Sequence, residues 1–332
     1  MRGNLAIYER GLRAQTRPCI PVASIGNITL GGTGKTTTTR RLTRDLRKAG
    51  LSPGIVLRGH KRSGQASELL ISDGNGLLVE GNMAGDEAAM LATTAEAPVA
   101  VGKRRERVVQ LLQDEGATVA LLDDGFQYFR MRRVVDLVLI DATFNLPEAR
   151  VFPAGYLREP LDHLRRATHL LITHADLVDE DRITRTIELL REHAPEAPLM
   201  RSRHAPAGAY QLDDPDTMIA VDELAGSEVM AVSAVGNPAS FEALLQQIGA
   251  DVAAKKVFPD HHAYLPEDWD RVREALNGHK VDMIAVTEKD AVKLTAAPLD
   301  LPPVVAVAVD LEITHGTENW DVLIERLQQA SR

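Results

Sequence analysis

Short apolar runs recur along the first two thirds of the chain, with helical segments between them. Most of these runs are continuous rather than alternating, which is typical of parallel strands covered on both faces of a sheet. Such sheets bind ligands beyond the carboxyl ends of their strands. The pattern predicts strands at 21–25, 53–57, 97–101, 118–122, 135–140 and 169–173, and helices around 36–49, 86–95, 104–115 and 179–193.

A change in composition divides the chain. Between about 195 and 221, Pro, Gly and Asp are frequent, and we interpret this stretch as a linker or ribbon between domains. A second α/β segment follows, with strands near 228–233, 282–287 and 303–309 and helices near 238–248, 266–277 and 317–330. The sequence therefore predicts two α/β domains, 1–200 and a smaller one at 201–332.

Composition narrows the class of protein. A chain of 332 residues is long enough for two domains, and 44% hydrophobic with 26% charged residues excludes a disordered or fibrous protein. The single cysteine, Cys19, cannot form an internal disulfide, which favours a reducing compartment. The net charge of −9 disfavours a nucleic-acid partner.

Positive charge is nevertheless clustered locally, as a solvated helix face or as a site for an anionic substrate. We prefer the solvated face for Arg165 and Arg166. The clusters are Lys103, Arg104, Arg105 and Arg107, then Arg130, Arg132 and Arg133, then Arg158, Arg165 and Arg166.

The N-terminal stretch is basic and contains neither a signal-peptide core nor an apolar run of about 18 residues that could span a bilayer. Leu5, Tyr8 and Leu12 are spaced i, i+3 and i+7 among four arginines. A basic amphipathic helix with this pattern could lie on a membrane surface or pack on the domain, and both alternatives stay open.

A glycine-rich loop follows the first predicted strand and opens the first predicted helix. Glycines let backbone N–H groups converge on a phosphate, and the helix N-terminus adds positive potential. Thr29 replaces the first glycine of the usual G-x-x-x-x-G-K-[ST] pattern. We expect Lys35 to reach the β- and γ-phosphates and Thr36 to ligate Mg²⁺. The predicted phosphate-binding residues are Gly31, Gly32, Thr33, Gly34, Lys35, Thr36 and Thr37.

An apolar strand ends in Asp123 and Asp124, followed by Gly125. In a P-loop protein, a carboxylate at this place faces Mg²⁺ or its water shell. Downstream of the glycine loop, the two aspartates therefore predict the metal side of a P-loop NTPase-type sheet.

Three further stretches could carry chemistry. Asp86 opens a predicted helix, as a favourable first-turn acid or as a catalytic base. His261 lies in a Pro-Asp-His-His stretch and could pair with a carboxylate, or be a surface histidine by chance. Arg158 could neutralise phosphate and Glu159 could approach Mg²⁺, or the two could form a surface ion pair.

Taken together, these stretches resemble the tetraacyldisaccharide 4'-kinase family over most of the chain, from residue 25 to about 293. Gly26–Thr36 is similar to the family's GN-x-T-x-GG-x-GKT loop. The other similar motifs are Gly85-Asp86-Glu87, Asp123-Asp124-Gly125-Phe126-Gln127, Pro153–Pro160 (PAG-x-LREP), Gly236-Asn237-Pro238, Phe258–His261 (F-x-DH) and Thr287–Lys293 (TEKDA-x-K).

The resemblance implies transfer of the γ-phosphoryl group of ATP to the 4'-hydroxyl of a lipid A disaccharide 1-phosphate. It implies that Asp86 and His261 act together on that hydroxyl, with Lys35 on the phosphates. It also implies a peripheral location on the cytoplasmic side of the inner membrane, with no protein partner. The implied metal residues are Thr36, Asp123, Asp124 and Glu159, and the implied substrate residues are Arg58, Gln127 and Arg158.

Three positions depart from the family pattern. Many members begin with an apolar membrane helix, and this chain starts too late to have one. The usual aromatic residue of an RGYG-like stretch is replaced around His60, and the usual histidine after DDG-x-Q is Tyr128. The last two lie where the acceptor is expected, so a kinase acting on another glycolipid stays an alternative.

A switch ATPase of the ParA/MinD type is the alternative from a different class. Its loop is similar to residues 31–37, but its signature lysine would stand at the position of Leu30. The Asp86 and His261 pair also argues against it, because a switch protein needs no base for an acceptor. ATP-dependent dimerisation without acceptor turnover would favour this alternative.

Overall fold

The computed structural model describes Tyr8 and residues 12–59, 67–79, 81–260, 262–294 and 297–332. Most of the possible N-terminal helix, His60 and His261 lie outside the described residues. The strands are β1 (Val22–Asn27), β2 (Pro53–Leu57), β3 (Glu68–Asp73), β4 (Pro98–Gly102), β5 (Val119–Asp123), β6 (Val135–Asp141), β7 (His169–Thr173), β8 (Leu199–Gln211), β9 (Asp214–Ile219), β10 (Glu228–Ser233), β11 (Asp251–Val257), β12 (Met283–Thr287) and β13 (Val304–His315).

The α-helices alternate with these strands along the chain, as the apolar pattern predicts. They are α1 (Lys35–Lys48), α2 (Gly81–Ala84), α3 (Asp86–Thr94), α4 (Arg105–Asp114), α5 (Glu180–His193), α6 (Pro238–Ile248), α7 (Asp268–Leu276), α8 (Glu288–Ala291) and α9 (Thr317–Ala330). The predicted strands and helices are confirmed to within a few residues, except that β13 continues to His315.

Of the two interpretations of 195–221, a linker or a ribbon, the structure shows the ribbon. This stretch contains β8 and β9, which pair antiparallel as a hairpin whose turn lies at 212–213. The Asp residues belong to the turn of this hairpin and to the start of β9, and Pro215 lies in β9, whose one partner among the described strands is β8, so that Pro is tolerated there.

The chain forms two compact units, one of residues 1–203 with 311–332 and one of residues 204–310. The predicted second domain, 201–332, is therefore corrected at its C-terminal end. The reason is the apolar face of α9: Trp320, Leu323 and Leu327 are buried in one cluster with Ile25 of β1 and Leu42 of α1. Burial of that face attaches the end of the chain to the first unit.

The first unit is built on a sheet with the strand order β8-β7-β6-β1-β5-β2-β4-β3. Every neighbouring pair in this series is parallel except β3 with β4. The carboxyl ends of β1, β5, β2, β4, β6 and β7 consequently share one edge, which is where a ligand is expected.

Both faces of this sheet are covered, because alternate residues of each strand point to opposite sides. Ile25 of β1 packs in the cluster that contains Leu42 of α1. Val22 of the same strand packs in the cluster that contains Val109 and Leu112 of α4. The predicted α/β class, a P-loop NTPase-type parallel sheet with a smaller α/β unit, is confirmed.

The second unit also contains a parallel sheet with both faces covered. Its strand order is β11-β10-β12-β13. Val229 of β10 packs with Leu245 of α6 on one face. Met230 packs with Trp269 of α7 on the other. Within the residues that the structure describes, no helix is long and apolar enough to cross a bilayer.

Candidate functional site

The loop after β1 has the backbone of a phosphate cradle. Gly31 has a φ of 111° and Gly34 a φ of 79°, both in the left-handed region that favours glycine. The Gly34 carbonyl accepts bonds from the backbone N–H of Thr38 at 3.0 Å and from its hydroxyl at 2.9 Å, which fixes the start of α1. The loop thus turns directly into the N-terminus of a 14-residue helix.

The space above this loop fits a phosphate chain. A Cβ atom built on Gly31 or Gly32 would meet no atom within 4 Å, and both glycines are exposed. A helix N-terminus with accessible N–H groups attracts anions. The residues present therefore fit the phosphates of ATP.

Two backbone bonds hold the segment 156–158 against the start of this loop. The Leu30 N–H donates to the Tyr156 carbonyl at 2.8 Å, and the Arg158 N–H donates to the Ile28 carbonyl at 2.7 Å. On another side, the Thr173 hydroxyl at the end of β7 donates to the Thr33 carbonyl at 3.2 Å. These bonds place Arg158 beside the glycine loop.

Asp124 brings two cations together at the end of β5. One Arg158 nitrogen donates to its two carboxylate oxygens at 2.7 and 2.9 Å, and Lys35 Nζ lies 3.7 Å away. Burial alone would raise the pKa of Asp124, but Lys35 and Arg158 lower it below its ordinary value. The carboxylate therefore stays charged and orients both cations.

Asp123 lies in a contrasting environment. It is 3% exposed, and one of its oxygens accepts the Asp124 N–H at 3.0 Å. Burial, reinforced by the nearby charge of Glu87, raises its pKa to about 7, against the opposing effect of Lys35. A buried acid whose charged form is penalised in this way is stabilised by a nearby cation.

The donors at this edge fit Mg²⁺ bound jointly with phosphates. No group of three or more His, Cys, Asp or Glu side chains that could hold a metal occurs in the described part of the chain. Mg²⁺ is ordinarily held by one or two carboxylates together with substrate phosphates and water. Asp123 and the partly exposed Thr36 at the start of α1 supply that limited set.

Asp86 and Glu87 form the first turn of α3, after Gly85 with a φ of 81°. Acids at this end of a helix are favoured by its dipole. The structure adds Glu87 to the candidate site, because its charge acts on Asp123. The Gly-Asp-Glu motif already contained Glu87, but only the fold shows that α3 brings it towards β5.

Glu159 does not have the surroundings of a metal ligand, contrary to the sequence-based expectation. Its side chain is fully buried and accepts bonds from Gln127 Nε2 at 2.8 Å, His163 at 2.7 Å and Arg166 at 2.6 Å. Both oxygens are thereby used, so we leave Glu159 out of the proposed metal site. Arg166, expected on a solvated face, is 14% exposed at the side chain.

Gln127 links this buried carboxylate to the loop. Its amide also donates to the carbonyl of Asn27, the last residue of β1, at 2.8 Å. Its oxygen accepts from Arg158 at 3.4 Å. Gln127, predicted to contact substrate, thus has contacts that support the glycine loop.

Tyr128 contacts α4. Its hydroxyl hydrogen-bonds the Glu106 carboxylate and accepts the Arg105 N–H at 3.2 Å. Burial and the bond with Glu106 raise the pKa of Tyr128 to about 12, so the phenol keeps its proton. Arg105, named in the sequence analysis only as one member of a basic cluster, is buried rather than on a solvated face and donates to the Asp124 carbonyl at 3.0 Å.

An exposed basic surface lies around the start of α4. Glu106 pairs with Arg104 at 3.3 Å and with Arg130 at 3.2 Å. The N-terminal segment joins it, because the Thr16 N–H donates to the Arg130 carbonyl at 2.8 Å. The exposed cations of the segments joined by these contacts are Arg13, Arg17, Lys103, Arg104, Arg107, Arg130 and Arg132.

In the second unit, the structure assigns a structural contact to one of the two adjacent histidines. His262 Nε2 lies 2.7 Å from the Asp268 carboxylate, which also accepts the Leu265 N–H at 2.9 Å. Burial would raise the pKa of Asp268, but these bonds lower it. The role of His261, outside the described residues, stays a prediction.

Comparison with known proteins gives consistent results. A family model described as "Tetraacyldisaccharide-1-P 4'-kinase" matches residues 1–328. A tetraacyldisaccharide 4'-kinase of Anaeromyxobacter sp. (strain Fw109-5) is 34% identical over 323 residues, covering 95% of this chain and 84% of the relative. One from Halothermothrix orenii is 33% identical over 285 residues, covering 82% and 74%.

The fold agrees with these sequence matches. A crystal structure of LpxK from Aquifex aeolicus in complex with ATP aligns with a TM-score of 0.78 and 25% identity. The alignment covers 100% of this chain and 95% of that one.

Proposed function

The chain belongs to the tetraacyldisaccharide-1-P 4'-kinase family, and we propose that it transfers the γ-phosphoryl group of ATP to the 4'-hydroxyl of a tetraacyldisaccharide 1-phosphate. The observation that carries the proposal is the convergence of Lys35 and Arg158 on Asp124 beside the open glycine loop. Phosphoryl transfer depends chiefly on positioning and on neutralising charge, and this arrangement supplies both.

The residues divide into three roles. The loop residues Gly31 to Thr37 hold the phosphates, with Lys35 and Arg158 as the charged groups on the side where Asp124 lies. Asp86 takes the proton of the acceptor hydroxyl, and His261 acts with it. Arg58 contributes positive charge for an anionic acceptor. The contacts described above support the roles of Lys35 and Arg158, and the family resemblance supports those of Asp86, His261 and Arg58.

Thr36 and Asp123 would hold Mg²⁺, which neutralises charge on the phosphates when bound. The raised pKa of Asp123 supports this, since a cation at the carboxylate would offset the cost of its burial. We leave Asp124 out of this metal site, because its carboxylate pairs with Lys35 and Arg158.

The protein acts as a peripheral enzyme at the cytoplasmic face of the inner membrane. The exposed basic surface around α4 supports this proposal, because the segments that meet there carry seven exposed cations on a chain of net charge −9. Anionic lipids attract such a surface by roughly 1 kcal/mol per basic residue. Binding to vesicles with anionic lipid but not to zwitterionic ones, lost at high salt, is the expected behaviour.

The switch-ATPase alternative is not favoured, since the chain matches the kinase family over 328 residues and Leu30 stands where the switch lysine would be. An acceptor-dependence assay tests the proposal. With Mg-ATP, we expect labelled phosphate to move to tetraacyldisaccharide 1-phosphate and ADP release to require that acceptor. ADP release that is independent of the acceptor, with dimerisation on ATP, would contradict the proposal.

A further inference from the structure

Three short motifs follow strand ends at one edge of the second unit. Apart from His261, they contain no residue with a proposed catalytic role. The strands β10, β11 and β12 are parallel, so their carboxyl ends at residues 233, 257 and 287 lie at the same edge. Residues 236–238, 258–261 and 287–293 follow these three ends directly.

Asp290 is the buried anchor of this edge. It is 0% exposed, and one of its oxygens accepts the Ala234 N–H at 2.9 Å and the Thr287 hydroxyl at 2.8 Å. Its other oxygen lies 2.9 Å from Lys293 Nζ. The ammonium group of Lys293 is thereby fixed on a carboxylate that is itself fixed to β10 and β12.

Lys293 extends this anchor to the segment that follows β11. Its Nζ donates to the backbone carbonyl of His262 at 3.3 Å and lies 5.3 Å from the centre of the Tyr264 ring. Its side chain is 9% exposed, so these contacts form largely out of water, where they are stronger.

Lys289 holds the same segment at a second point. Its Nζ lies 3.4 Å from the Asp260 carboxylate. A Cβ atom built on Gly236 would lie 3.4 Å from the same carboxylate, an ordinary contact distance, so Asp260 also lies beside the loop that follows β10. The residues immediately before and after His261 are thus both bonded to lysines of the α8 region.

Aromatic rings pack the segment after β11 against the interior of the second unit. Phe258 is 4% exposed and stacks on the His262 ring with centroids 4.7 Å apart and an interplanar angle of 15°. Tyr264 meets both rings edge-on at 5.2 Å. Phe258, His262 and Tyr264 therefore make the segment part of the core of the unit.

We propose that Lys289 and Lys293 are positioning residues, which act on the reaction by holding Asp260 and His262, the neighbours of His261 in the sequence. This inference rests on the proposed function for the role of His261. It explains why a Thr-Glu-Lys-Asp-Ala-x-Lys sequence follows β12: Thr287 and Asp290 fix the short helix, and its two lysines reach across to the neighbouring segment.

Two variants and a matched control test the proposal in the full chain. Lys289→Met removes the partly exposed contact and Lys293→Met the inner one. Lys255→Met is the control, because Lys255 pairs with Glu242 at 3.0 Å on an exposed part of the same unit. Amide hydrogen exchange of a peptide covering 257–265 is measured first. We expect faster exchange in both variants and no change in the control.

Kinetics then separate positioning from general damage. We expect each variant to lower kcat about tenfold with little change in the KM for ATP, and Lys293→Arg to recover part of the loss. In a His261→Ala background, neither substitution should lower kcat further, because the residue they position is gone. Equal losses with and without His261 would overturn the proposal.

The exchange experiment tests the positioning role, and the phosphorylation assay tests the proposed function, so each can be contradicted without the other. Unchanged exchange in Lys289→Met and Lys293→Met would overturn the positioning role even if the wild-type protein is a kinase. Absence of acceptor phosphorylation by the wild-type protein would overturn the proposed function, and with it the role given to His261. Faster exchange in that case would still establish that the lysines hold the segment.

Discussion

Arg158 and Asp124 form the closest ion pair beside the glycine loop, with one guanidinium nitrogen 2.7 and 2.9 Å from the two carboxylate oxygens. Lys35 approaches the same carboxylate at 3.7 Å. Asp124 adopts a φ of 51°, an uncommon conformation for a residue other than glycine. The end of β5 is therefore shaped to orient two cations towards the loop, and this relationship leads to the first prediction.

Arg158→Ala should lower kcat by about 10²- to 10³-fold, since loss of one preorganised charged donor commonly has an effect of that size. Arg158→Lys should recover only part of the activity, because an ammonium group cannot reproduce the guanidinium geometry. Steady-state kinetics with both substrates measure this. A kcat within twofold of wild type in Arg158→Ala would contradict the assignment.

Because the pKa of Asp123 is raised, we expect the free energy of unfolding of the ligand-free protein to depend on pH. Its pKa is about 7 in the folded chain against a usual 3.8, so the folded state binds the proton more tightly and stability falls as the pH rises from about 4 to 7. Relative to Asp123→Asn, the wild type should lose roughly 3 kcal/mol between pH 5 and pH 8.

Urea unfolding of both proteins at the two pH values, without Mg²⁺ or nucleotide, measures this difference. Asp123→Asn is the reference for the wild type, since the two proteins have every other titrating group in common. A difference between variant and wild type that stays the same at pH 5 and pH 8 would contradict a pKa of about 7 for Asp123 in the folded protein.

Tyr128→Phe tests whether this position contacts the acceptor. The hydroxyl bonds to Glu106 and receives the Arg105 N–H, so its removal should cost about 1 kcal/mol of unfolding free energy. The KM for the disaccharide should stay within twofold of wild type. A tenfold rise in that KM with unchanged stability would instead place Tyr128 at the acceptor.

The C-terminal helix should be essential to the stability of the first unit. Trp320 is 2% exposed and its indole N–H donates to Asp45 at 3.0 Å, so Trp320→Ala should cost about 3–5 kcal/mol. Val322→Ala is the matched control: Val322 lies on the same helix but is 49% exposed, so a change within about 0.5 kcal/mol is expected. Thermal unfolding that separates the two variants by less than 1 kcal/mol would contradict the assignment of α9.

The sequence predicted best where one local pattern decides the structure. The limits of β2 and β7 agree with the predicted apolar runs to the residue, because every residue of these two strands is buried. β11 was not predicted, since none of its residues is fully buried and its two lysines interrupt the apolar pattern. The two strands of the β8–β9 ribbon were not located for a similar reason, with Pro206 and Gly208 inside a strand.

In the candidate site, too, local sequence patterns predicted some residues, whereas the surroundings of others depend on residues far away in the sequence. The glycine loop and Asp123 at a strand end are local patterns, and the fold brings them to the same edge. The surroundings of Glu159 depend on Gln127, 32 residues earlier, and on Arg166. No spacing in the sequence predicts that those donors enclose it, and these contacts favour a structural role for Glu159 over the predicted metal role.

In the proposed reaction, Asp86 acts as the base for the acceptor hydroxyl. This role is tested by measuring transfer of labelled γ-phosphate from Mg-ATP to tetraacyldisaccharide 1-phosphate by the wild type and by Asp86→Asn, with ATP binding measured for both. We expect transfer by the wild type and a loss of about 10²- to 10⁴-fold in the variant with ATP binding retained. Equal transfer by both proteins, or no transfer by a wild type that binds ATP, would contradict this expectation.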